Sequence, residues 1–384
     1  MLETRTSGSV APGFEPVLEA FETNFAAHGE VGAACCVYLH GKPVVDLWGG
    51  VRTPGQSEPY TADTLQMVWS TTKGVVAIAA HMLAQEGLLD FDAPVTRYWP
   101  EFAPHGKDKM PVRWLFTHQS GLAAIDSPLG MDAVLAWTPL AEALAAQRPW
   151  WEPGTAHGYH AYTYGWLAGE VIRRAAGMSV GRYLAGRIAG PLKAEFWIGL
   201  PEAMAARVAP VVPQAPPAPG AAPDPLVALL MDPSSLAHRA FAVLSVPPTA
   251  YNEYPFWSAE VPAGNGIGTA RALARLYAAC IGEVDGIRLL DPATLARATA
   301  TQARGEDLVV PYETHYGTGF QLPFPFRPMA GDGSFGHYGS GGSVGFAHQG
   351  LGFSFGYVMN QMRSAYGIDP RTANLVSALM GCLR

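Results

Sequence analysis

The stretch Met67–Ala80 reads MVWSTTKGVVAIAA, and it sets Ser70 three residues before Lys73. The run from Val75 to Leu83 is apolar on nearly every side, which predicts a buried helix beginning near Ser70. Residues three apart share one helix face. A serine hydroxyl needs a base to take its proton, and a lysine can be that base when burial lowers its pKa. The alternative is that Ser70 is only an N-terminal cap and Lys73 a solvated side chain.

The overall composition is typical of a compact globular protein, with 384 residues of which 49% are hydrophobic and 15% charged. This length suits two domains, or one domain with a large insertion. The net charge of −7 and the scattered lysines and arginines argue against nucleic acid as a partner. Residues 1–13 contain no apolar core of signal-peptide length, and no run is long enough to span a bilayer. We therefore expect a soluble cytoplasmic enzyme without a membrane partner.

The cysteines and histidines do not indicate a bound cofactor. No paired Cys-x-x-Cys spacing joins the four cysteines, which are Cys35, Cys36, Cys280 and Cys382. We interpret them as reduced and structural. The histidines near the motifs described below also lack a metal-ligand spacing, so we predict no metal and no cofactor. Nothing in the pattern specifies an oligomeric state.

The N-terminal part predicts a helix followed by a hairpin. Phe14–Gly29 has apolar residues at helical spacing and ends on a glycine. Val31–His40 and Val44–Trp48 are strand-like runs on either side of the turn His40–Pro43.

The middle of the chain predicts short helices broken by Gly and Pro, at Val112–His118, Met131–Gln147, Tyr164–Ala176, Val180–Ile188, Arg271–Ile281 and Pro292–Ala300. Residues 209–225 carry seven prolines and are interpreted as an extended surface loop. We predict a mostly helical domain over residues 81–304, inserted between two parts of a sheet domain, residues 1–80 and 305–384, with the active site in the cleft between them.

The last third predicts strands at Gly317–Leu322, Ser334–Tyr338, Gly345–Gln349 and Phe353–Met359, then a closing helix at Arg371–Leu383. These strands would pair with the N-terminal hairpin, and the two terminal helices would cover one face. The predicted fold class is α+β: an antiparallel β-sheet flanked by the terminal helices, with a large helical insertion.

Two further segments belong with Ser70 and Lys73. Residues 152–166 form a turn-rich stretch leading into a helix, in which the Tyr159 phenol could project into a cleft, although a single tyrosine is more often a packing residue. Residues 335–346, FGHYGSGGSVGF, set small residues after His337 and Tyr338, which would let a substrate lie against a strand edge with free backbone N–H groups. The alternative is a glycine-rich turn between strands.

Together the three segments resemble the serine β-lactamase and penicillin-binding-protein superfamily, in particular class C β-lactamases and family VIII carboxylesterases. The signature of that group is Ser-x-x-Lys, then a tyrosine loop, then Lys-Thr-Gly or a variant on a strand. The corresponding residues here, in the same order, are Ser70–Lys73, Tyr159–Ala161 and His337–Gly339. Neighbouring phrases also agree, namely Leu115–Leu122, Pro153–Thr155 and Asn265–Arg271, and the resemblance covers about residues 14–383.

The resemblance implies a nucleophile at Ser70 and a general base at Lys73. It further implies that the Tyr159 phenol shares protons with them and that the backbone N–H groups of Ser70 and Ser340 form an oxyanion hole. The reaction would pass through an acyl-enzyme that water hydrolyses.

Departures from the β-lactamase pattern indicate a different substrate. Ala161 replaces the amide-bearing residue that meets the side-chain amide of a β-lactam. His337 replaces the lysine that attracts the β-lactam carboxylate, and Tyr338 replaces the threonine before Gly339. The loss of the amide at Ala161 and the loss of the lysine charge at His337 both favour a neutral ester. His337 could act as a second base, but a neutral imidazole that only forms hydrogen bonds is the favoured interpretation.

The stretch Gly341–Gly345 is a formal Gly-x-Ser-x-Gly, the nucleophile elbow of α/β-hydrolases. That motif needs a strand before it and a helix after it in a βαβ chain. The residues after Gly345 continue as a predicted strand, so we do not interpret Ser343 as the nucleophile.

Four functions remain open at this point. The first is a carboxylesterase for small or medium acyl esters, acting on a small-molecule partner. The second is a β-lactamase or a D-amino-acid peptidase or amidase, the third an acyltransferase, and the fourth a binding module without catalysis. Ser70, Lys73 and Tyr159 together disfavour the fourth, while Ala161 and His337 disfavour the second.

The two candidate nucleophiles predict opposite results. Ser70→Ala removes the attacking oxygen and should abolish ester hydrolysis while the protein stays folded. Ser343→Ala should retain substantial activity. Steady-state assays with p-nitrophenyl esters, beside circular dichroism of each variant, check this; the reverse ranking would contradict the assignment.

Overall fold

The computed structural model describes residues 6–214, 224–363 and 367–383. The strands are β1 Thr6–Val10, β2 Gly32–Leu39, β3 Lys42–Gly50, β4 Gln66–Met67, β5 Phe196–Trp197, β6 Ile267–Gly268, β7 Ala303–Glu306, β8 Glu313–Tyr316, β9 Ser334–Tyr338, β10 Val344–His348 and β11 Phe353–Met359. The α-helices are α1 Glu15–Ala27, α2 Thr71–Gln85, α3 Arg113–Phe116, α4 Met131–Ala136, α5 Thr138–Ala146, α6 Thr163–Ala176, α7 Val180–Leu184, α8 Pro225–Met231, α9 Leu236–Phe241, α10 Tyr254–Ser258, α11 Ala270–Ile281, α12 Pro292–Thr299 and α13 Pro370–Cys382.

The main sheet is antiparallel, in the order β1-β3-β2-β11-β10-β9. The predicted hairpin is confirmed as β2 and β3, and the C-terminal strands join it through the pairing of β11 with β2. First and last parts of the chain thus form one sheet, and the predicted α+β fold class is confirmed.

The terminal helices cover one face of this sheet. Val17 and Phe21 of α1 and Leu375 and Leu379 of α13 are fully buried in one apolar cluster with side chains of β2, β10 and β11. Burial of several large apolar side chains is the main force that holds such layers together. The prediction that both terminal helices lie on the same face is confirmed.

Helix α11 covers the opposite face, against β2, β10 and β11. Glycines in the sheet let it approach closely: a Cβ on Gly356 would lie 2.2 Å from the Ala270 carbonyl oxygen, and one on Gly345 would lie 2.8 Å from the Tyr277 ring. Since α11 falls within residues 81–304, part of the range assigned to the helical insertion packs on the sheet. The division of the chain at residues 80 and 305 remains a prediction.

Helix α2 packs between β9 and α6 and also contacts β10 and α12. Every residue from Thr71 to His81 is buried, and so is Leu83. This confirms the buried helix predicted from the apolar run, because a helix that is apolar all round can only sit in a core. Ser70 precedes its first turn, and the Ser70 side chain makes no capping hydrogen bond.

Two predicted elements were wrong. Gly317–Leu322 is a turn rather than a strand: Gly319 has φ +83°, and the Gly317 N–H donates to the Phe320 carbonyl oxygen at 2.9 Å. Met131–Gln147 is broken into α4 and α5 at Trp137, which has φ 61°. Pro139 lacks an N–H group to continue the helical ladder, which accounts for the break.

The proline-rich stretch 209–225 lies partly outside the described residues, which omit 215–223. At its far end Asp224 caps α8 by accepting from the Leu226 N–H at 2.9 Å. Within the described chain, no helix is both long enough and apolar enough to cross a membrane.

Candidate active site

Ser70 is held on a tight turn between β4 and α2. The preceding residue, Trp69, has a left-handed backbone with φ 49°. Thr72 Oγ1 donates to the Trp69 carbonyl oxygen at 2.5 Å and accepts from the Gly266 N–H at 2.9 Å. This clamp ties the start of α2 to the segment that precedes β6, so the Ser70 side chain has a fixed direction.

The Lys73 ammonium position is surrounded by oxygen atoms of uncharged groups. Its Nζ lies 3.0 Å from Ser70 Oγ, 2.8 Å from the Ala161 carbonyl oxygen and 2.8 Å from the Ala263 carbonyl oxygen. The Lys73 side chain is fully buried. No carboxylate of the described residues forms an ion pair with it.

Burial without a carboxylate lowers the pKa of Lys73 well below its ordinary value. A neutral amine has two N–H groups and one lone pair, which matches the three oxygen neighbours. The two N–H groups donate to the carbonyl oxygens of Ala161 and Ala263, and the lone pair faces Ser70. In its neutral form the Lys73 amine can thus accept a hydrogen bond from the Ser70 hydroxyl.

Tyr159 approaches the same hydroxyl from the other side. Its OH donates to Ser70 Oγ at 2.7 Å, and its ring centre lies 4.9 Å from Lys73 Nζ. Burial raises the pKa of Tyr159 above its ordinary value, so the phenol keeps its proton at neutral pH. Burial thus pushes the pKa of the amine down and that of the phenol up, which favours the uncharged form of both groups.

The loop that carries Tyr159 is fixed by Asp307, a residue that the sequence did not single out. Asp307 Oδ1 accepts from the Tyr159 and Val309 N–H groups, both at 2.9 Å. Its Oδ2 accepts from Thr314 Oγ1 at 3.0 Å, and Thr314 lies 2.9 Å from His157 Nε2. In the sequence, Asp307 lies in a polar segment that predicts only a turn. Such a segment does not reveal the hydrogen bond to Tyr159, which lies 148 residues away in the chain.

His118 supports the Tyr159 loop from beneath and was identified only through its phrase of the resemblance. Its Nδ1 accepts from the His160 N–H at 3.1 Å, and its carbonyl oxygen accepts from the Gly158 N–H at 3.0 Å. Its ring centre lies 5.1 Å from that of Tyr159. Burial lowers the pKa values of His118 and His160, so both imidazoles are neutral.

The end of β9 brings backbone N–H groups to Ser70. A Cβ on Gly339 would lie 2.2 Å from the Val68 carbonyl oxygen, so this close approach requires glycine. The Gly342 N–H donates to the Gly339 carbonyl oxygen at 3.3 Å. Because the C=O and N–H of a trans peptide point in opposite directions, this bond turns the Ser340 N–H outward. In the described chain, no oxygen accepts from the N–H groups of Ser70 or Ser340.

The sequence-predicted site residues fall into two groups. Those that line one cavity are Ser70, Tyr159, Tyr338, Gly339 and Ser340. Those that lie behind its wall are Lys73, Ala161 and His337. Ala161 contributes its carbonyl oxygen to Lys73 rather than a side chain to the cavity.

His337 is 1% exposed, and its Nδ1–H donates to the Tyr338 carbonyl oxygen at 2.6 Å. Burial lowers its pKa, so the imidazole is neutral. Its Nε2 is buried and lacks a partner within the described residues. The loss of a permanent cation at this position is therefore a property of the folded site as well as of the sequence.

Ser343 is fully buried, and its Oγ donates to the Val68 carbonyl oxygen at 2.7 Å. The chain continues from it into strand β10 rather than into a helix. This serine holds the backbone beside Ser70, as expected from the mismatch with an α/β-hydrolase elbow.

The cavity in front of Ser70 is narrow, with a volume of about 60 Å³. Apolar side chains form one wall, namely Leu226, Phe241 and Val310. Leu226 comes from α8 and is 4% exposed, while the next residue, Val227, is 51% exposed. A small, partly apolar compartment therefore lies beside the Ser70 hydroxyl.

Comparison with known proteins agrees with this geometry. The family model described as Beta-lactamase matches residues 18–378. The chain belongs to the β-lactamase family. The resemblance inferred from the three segments of sequence is thereby confirmed.

Three relatives of this family are similar over nearly the whole chain. Esterase/beta-lactamase LipL of Mycobacterium tuberculosis is 35% identical over 94% of this chain and 84% of its own length. The crystal structure of a family VIII carboxylesterase is 36% identical, with a TM-score of 0.89, and covers 98% of this chain and 100% of its own. A penicillin-binding-protein homolog from Caulobacter crescentus is 38% identical, with a TM-score of 0.86 and the same coverage.

The uncharged state of Lys73 predicts the pH dependence of the reaction. kcat/KM should rise as pH increases through the lowered pKa of the Lys73 amine and then stay level, because the pKa of Tyr159 lies above its ordinary range. Lys73→Arg, which cannot lose its proton, and Tyr159→Phe should each lower kcat by at least about 10²-fold. Steady-state kinetics across a range of pH, on the wild type and on variants shown to be folded, measure both effects.

The matched control is Lys107→Met. Lys107 is also fully buried among backbone carbonyl groups, and its pKa is lowered to about 8. The Lys107→Met variant should keep the wild-type dependence of kcat/KM on pH. A profile that changes with Lys107 and not with Lys73 would contradict the assignment of the base.

Proposed function

We propose that the protein is a serine carboxylesterase that cleaves small acyl esters through an acyl-enzyme on Ser70. The observation that carries the proposal is the Lys73 amine, 3.0 Å from Ser70 Oγ, in a buried setting that lowers its pKa. Relatives named as an esterase and as a family VIII carboxylesterase support the substrate class.

In acylation, the proton of Ser70 passes to Lys73 as Oγ bonds to the ester carbonyl carbon. The N–H groups of Ser70 and Ser340 then stabilise the negative oxygen, the kind of interaction that usually contributes most to such catalysis. Collapse of the tetrahedral adduct breaks the bond to the alcohol oxygen. Tyr159 donates its proton to that oxygen and recovers one from Lys73.

In deacylation, water replaces the alcohol. The water gives its proton to the Lys73 and Tyr159 pair and adds to the acyl carbon. When the second tetrahedral adduct collapses, the carboxylic acid leaves and Ser70 Oγ recovers a proton. The residues end in their starting states, so one ester and one water are consumed in each cycle.

The small cavity favours short acyl groups. Its volume of about 60 Å³ is small beside the roughly 300–1,000 Å³ of sites that hold drug-sized ligands. The apolar side chains of Leu226, Phe241 and Val310 favour an uncharged chain. We therefore expect short acyl chains such as butyryl to be preferred over long ones.

A β-lactamase activity is the second candidate because one cation, Arg327, lines the cavity. Its guanidinium donates to the Phe326 carbonyl oxygen at 2.7 Å and to that of Gly367, and it stacks on the Tyr338 ring at 5.3 Å. Both hydrogen bonds come from Nη1, so this end of the guanidinium is held by backbone carbonyl groups. The neutral His337 and the apolar Ala161 leave a β-lactam without two buried polar contacts, each worth on the order of 1 to 3 kcal/mol.

Comparison of two substrates tests the proposal. kcat/KM for p-nitrophenyl butyrate should exceed that for nitrocefin by at least about 10²-fold, because two missing contacts multiply. The Ser70→Ala variant is the background control for both substrates. Preference for nitrocefin in the wild type would replace the esterase assignment with the β-lactamase one.

The apolar wall predicts a shift in acyl-chain preference. Leu226→Ala should raise the ratio of octanoate to butyrate kcat/KM about 10-fold, since it opens space for further methylenes. Val227→Ala on the same helix faces solvent and should leave the ratio unchanged. A chain-length series of p-nitrophenyl esters gives both ratios, and equal effects of the two substitutions would contradict this role of Leu226.

A further inference from the structure

A buried ion cluster lies behind the turn that carries Ser340. Arg371, at the start of α13, has a fully buried side chain. Its guanidinium donates to Glu30 Oε1 at 3.1 Å and to Asp369 Oδ2 at 2.7 Å. Tyr357 donates to the other oxygen of Glu30. Taking such charges out of water is costly, so their retention in a core calls for an explanation beyond stability.

The same guanidinium also binds the turn that carries Ser340. Arg371 Nη2 donates to the Gly341 carbonyl oxygen at 2.6 Å, and its neighbour Thr372 donates through Oγ1 to the Gly342 carbonyl oxygen at 3.3 Å. Gly341 and Gly342 have φ values of +83° and +123°. Glycine adopts positive φ values readily and has many accessible conformations, so contacts from outside the turn are needed to select one of them. The first turn of α13 therefore forms hydrogen bonds with the carbonyl oxygens of both Gly341 and Gly342, the two residues that follow Ser340.

We propose that Arg371 is a positioning residue that fixes the direction of the Ser340 N–H in the oxyanion hole. The inference rests on the proposed nucleophile at Ser70, whatever acyl substrate that serine takes. The link is short: Arg371 holds Gly341, the turn keeps the Gly342 N–H on the Gly339 carbonyl oxygen, and that bond aims the Ser340 N–H at the cavity.

Arginine suits this task for a geometric reason. The guanidinium is planar and presents five donors in fixed directions, so it binds two carboxylates and a carbonyl at once without freedom to rotate. It also donates to the Gln361 carbonyl oxygen at 2.9 Å, which joins the end of β11 to the same cluster. A lysine would retain the charge and lose this orientation.

The test is Arg371→Lys, measured by three readouts. kcat for p-nitrophenyl butyrate should fall about 10- to 100-fold while KM stays within about 3-fold, because a misdirected oxyanion donor weakens the transition state more than the ground state. Labelling of Ser70 by a fluorophosphonate, followed by mass spectrometry, should slow by the same factor. The thermal midpoint records any loss of stability.

The matched control is Tyr357→Phe. Tyr357 belongs to the same buried cluster through Glu30, and its hydroxyl makes no contact with the turn in the described structure. It should lower the thermal midpoint with kcat nearly unchanged. If Tyr357→Phe lost as much kcat as Arg371→Lys at an equal loss of thermal midpoint, the role of Arg371 would be structural only and the inference would be overturned.

A milder variant covers the case in which Arg371→Lys does not fold. Thr372→Val keeps the shape of the side chain and removes only its hydrogen bond to the Gly342 carbonyl oxygen. In this variant kcat should fall about 3-fold at constant KM. Unchanged kcat and labelling in this folded variant would overturn the inference. Labelling by the fluorophosphonate tests the reactivity of Ser70 and does not depend on the acyl substrate. A wild type that is labelled but hydrolyses no carboxylester would contradict the esterase proposal, while the positioning role of Arg371 would still hold.

Discussion

The site depends on the burial of one amine without a counter-charge. Lys73 is enclosed by α2 and by two backbone segments, which contribute the carbonyl oxygens of Ala161 and Ala263. These segments are far apart in the chain, so the surroundings of Lys73 form only when both segments and the buried helix have come together. The folding free energy of the whole domain is what keeps an otherwise charged group neutral.

The same low-polarity environment sets the other groups around Ser70. Burial raises the pKa of Tyr159 and lowers the pKa values of His118, His160 and His337. Every one of these side chains is therefore uncharged when substrate arrives. In the proposed reaction, charge first appears on Lys73 and on the carbonyl oxygen of the substrate, and the N–H groups of Ser70 and Ser340 would stabilise that oxygen.

Local patterns in the sequence predicted much of this arrangement. The apolar run after Ser70 predicted α2, and strand-like runs bounded by turn residues predicted the hairpin and β9 to β11. Tyr159 and the backbone N–H groups after Tyr338 were candidates from their positions in the sequence, and the family resemblance supplied their roles. Gly317–Leu322 was mistaken for a strand because its glycine-rich turn contains apolar residues that pack inward.

The features that the sequence did not predict are all non-local. Asp307 fixes the Tyr159 loop, and Arg371 holds the turn after Ser340, through contacts that span 148 and 30 residues of chain. A charged residue in a short polar segment looks like a solvated one until the partner is known. Trp137 also has a distant contact, because its ring centre lies 6.0 Å from that of Trp166.

The central claim is that Lys73 is neutral in the resting protein, and NMR titration of its side chain tests this most directly. The chain has five lysines, so selective ¹⁵N labelling gives few signals, and Lys73→Ala and Lys107→Met assign the two buried ones. We predict that the Lys73 Nζ signal titrates well below the ordinary lysine pKa of about 10.4. A signal that stays protonated up to that value would contradict the account, because Lys73 could not then accept the proton of Ser70.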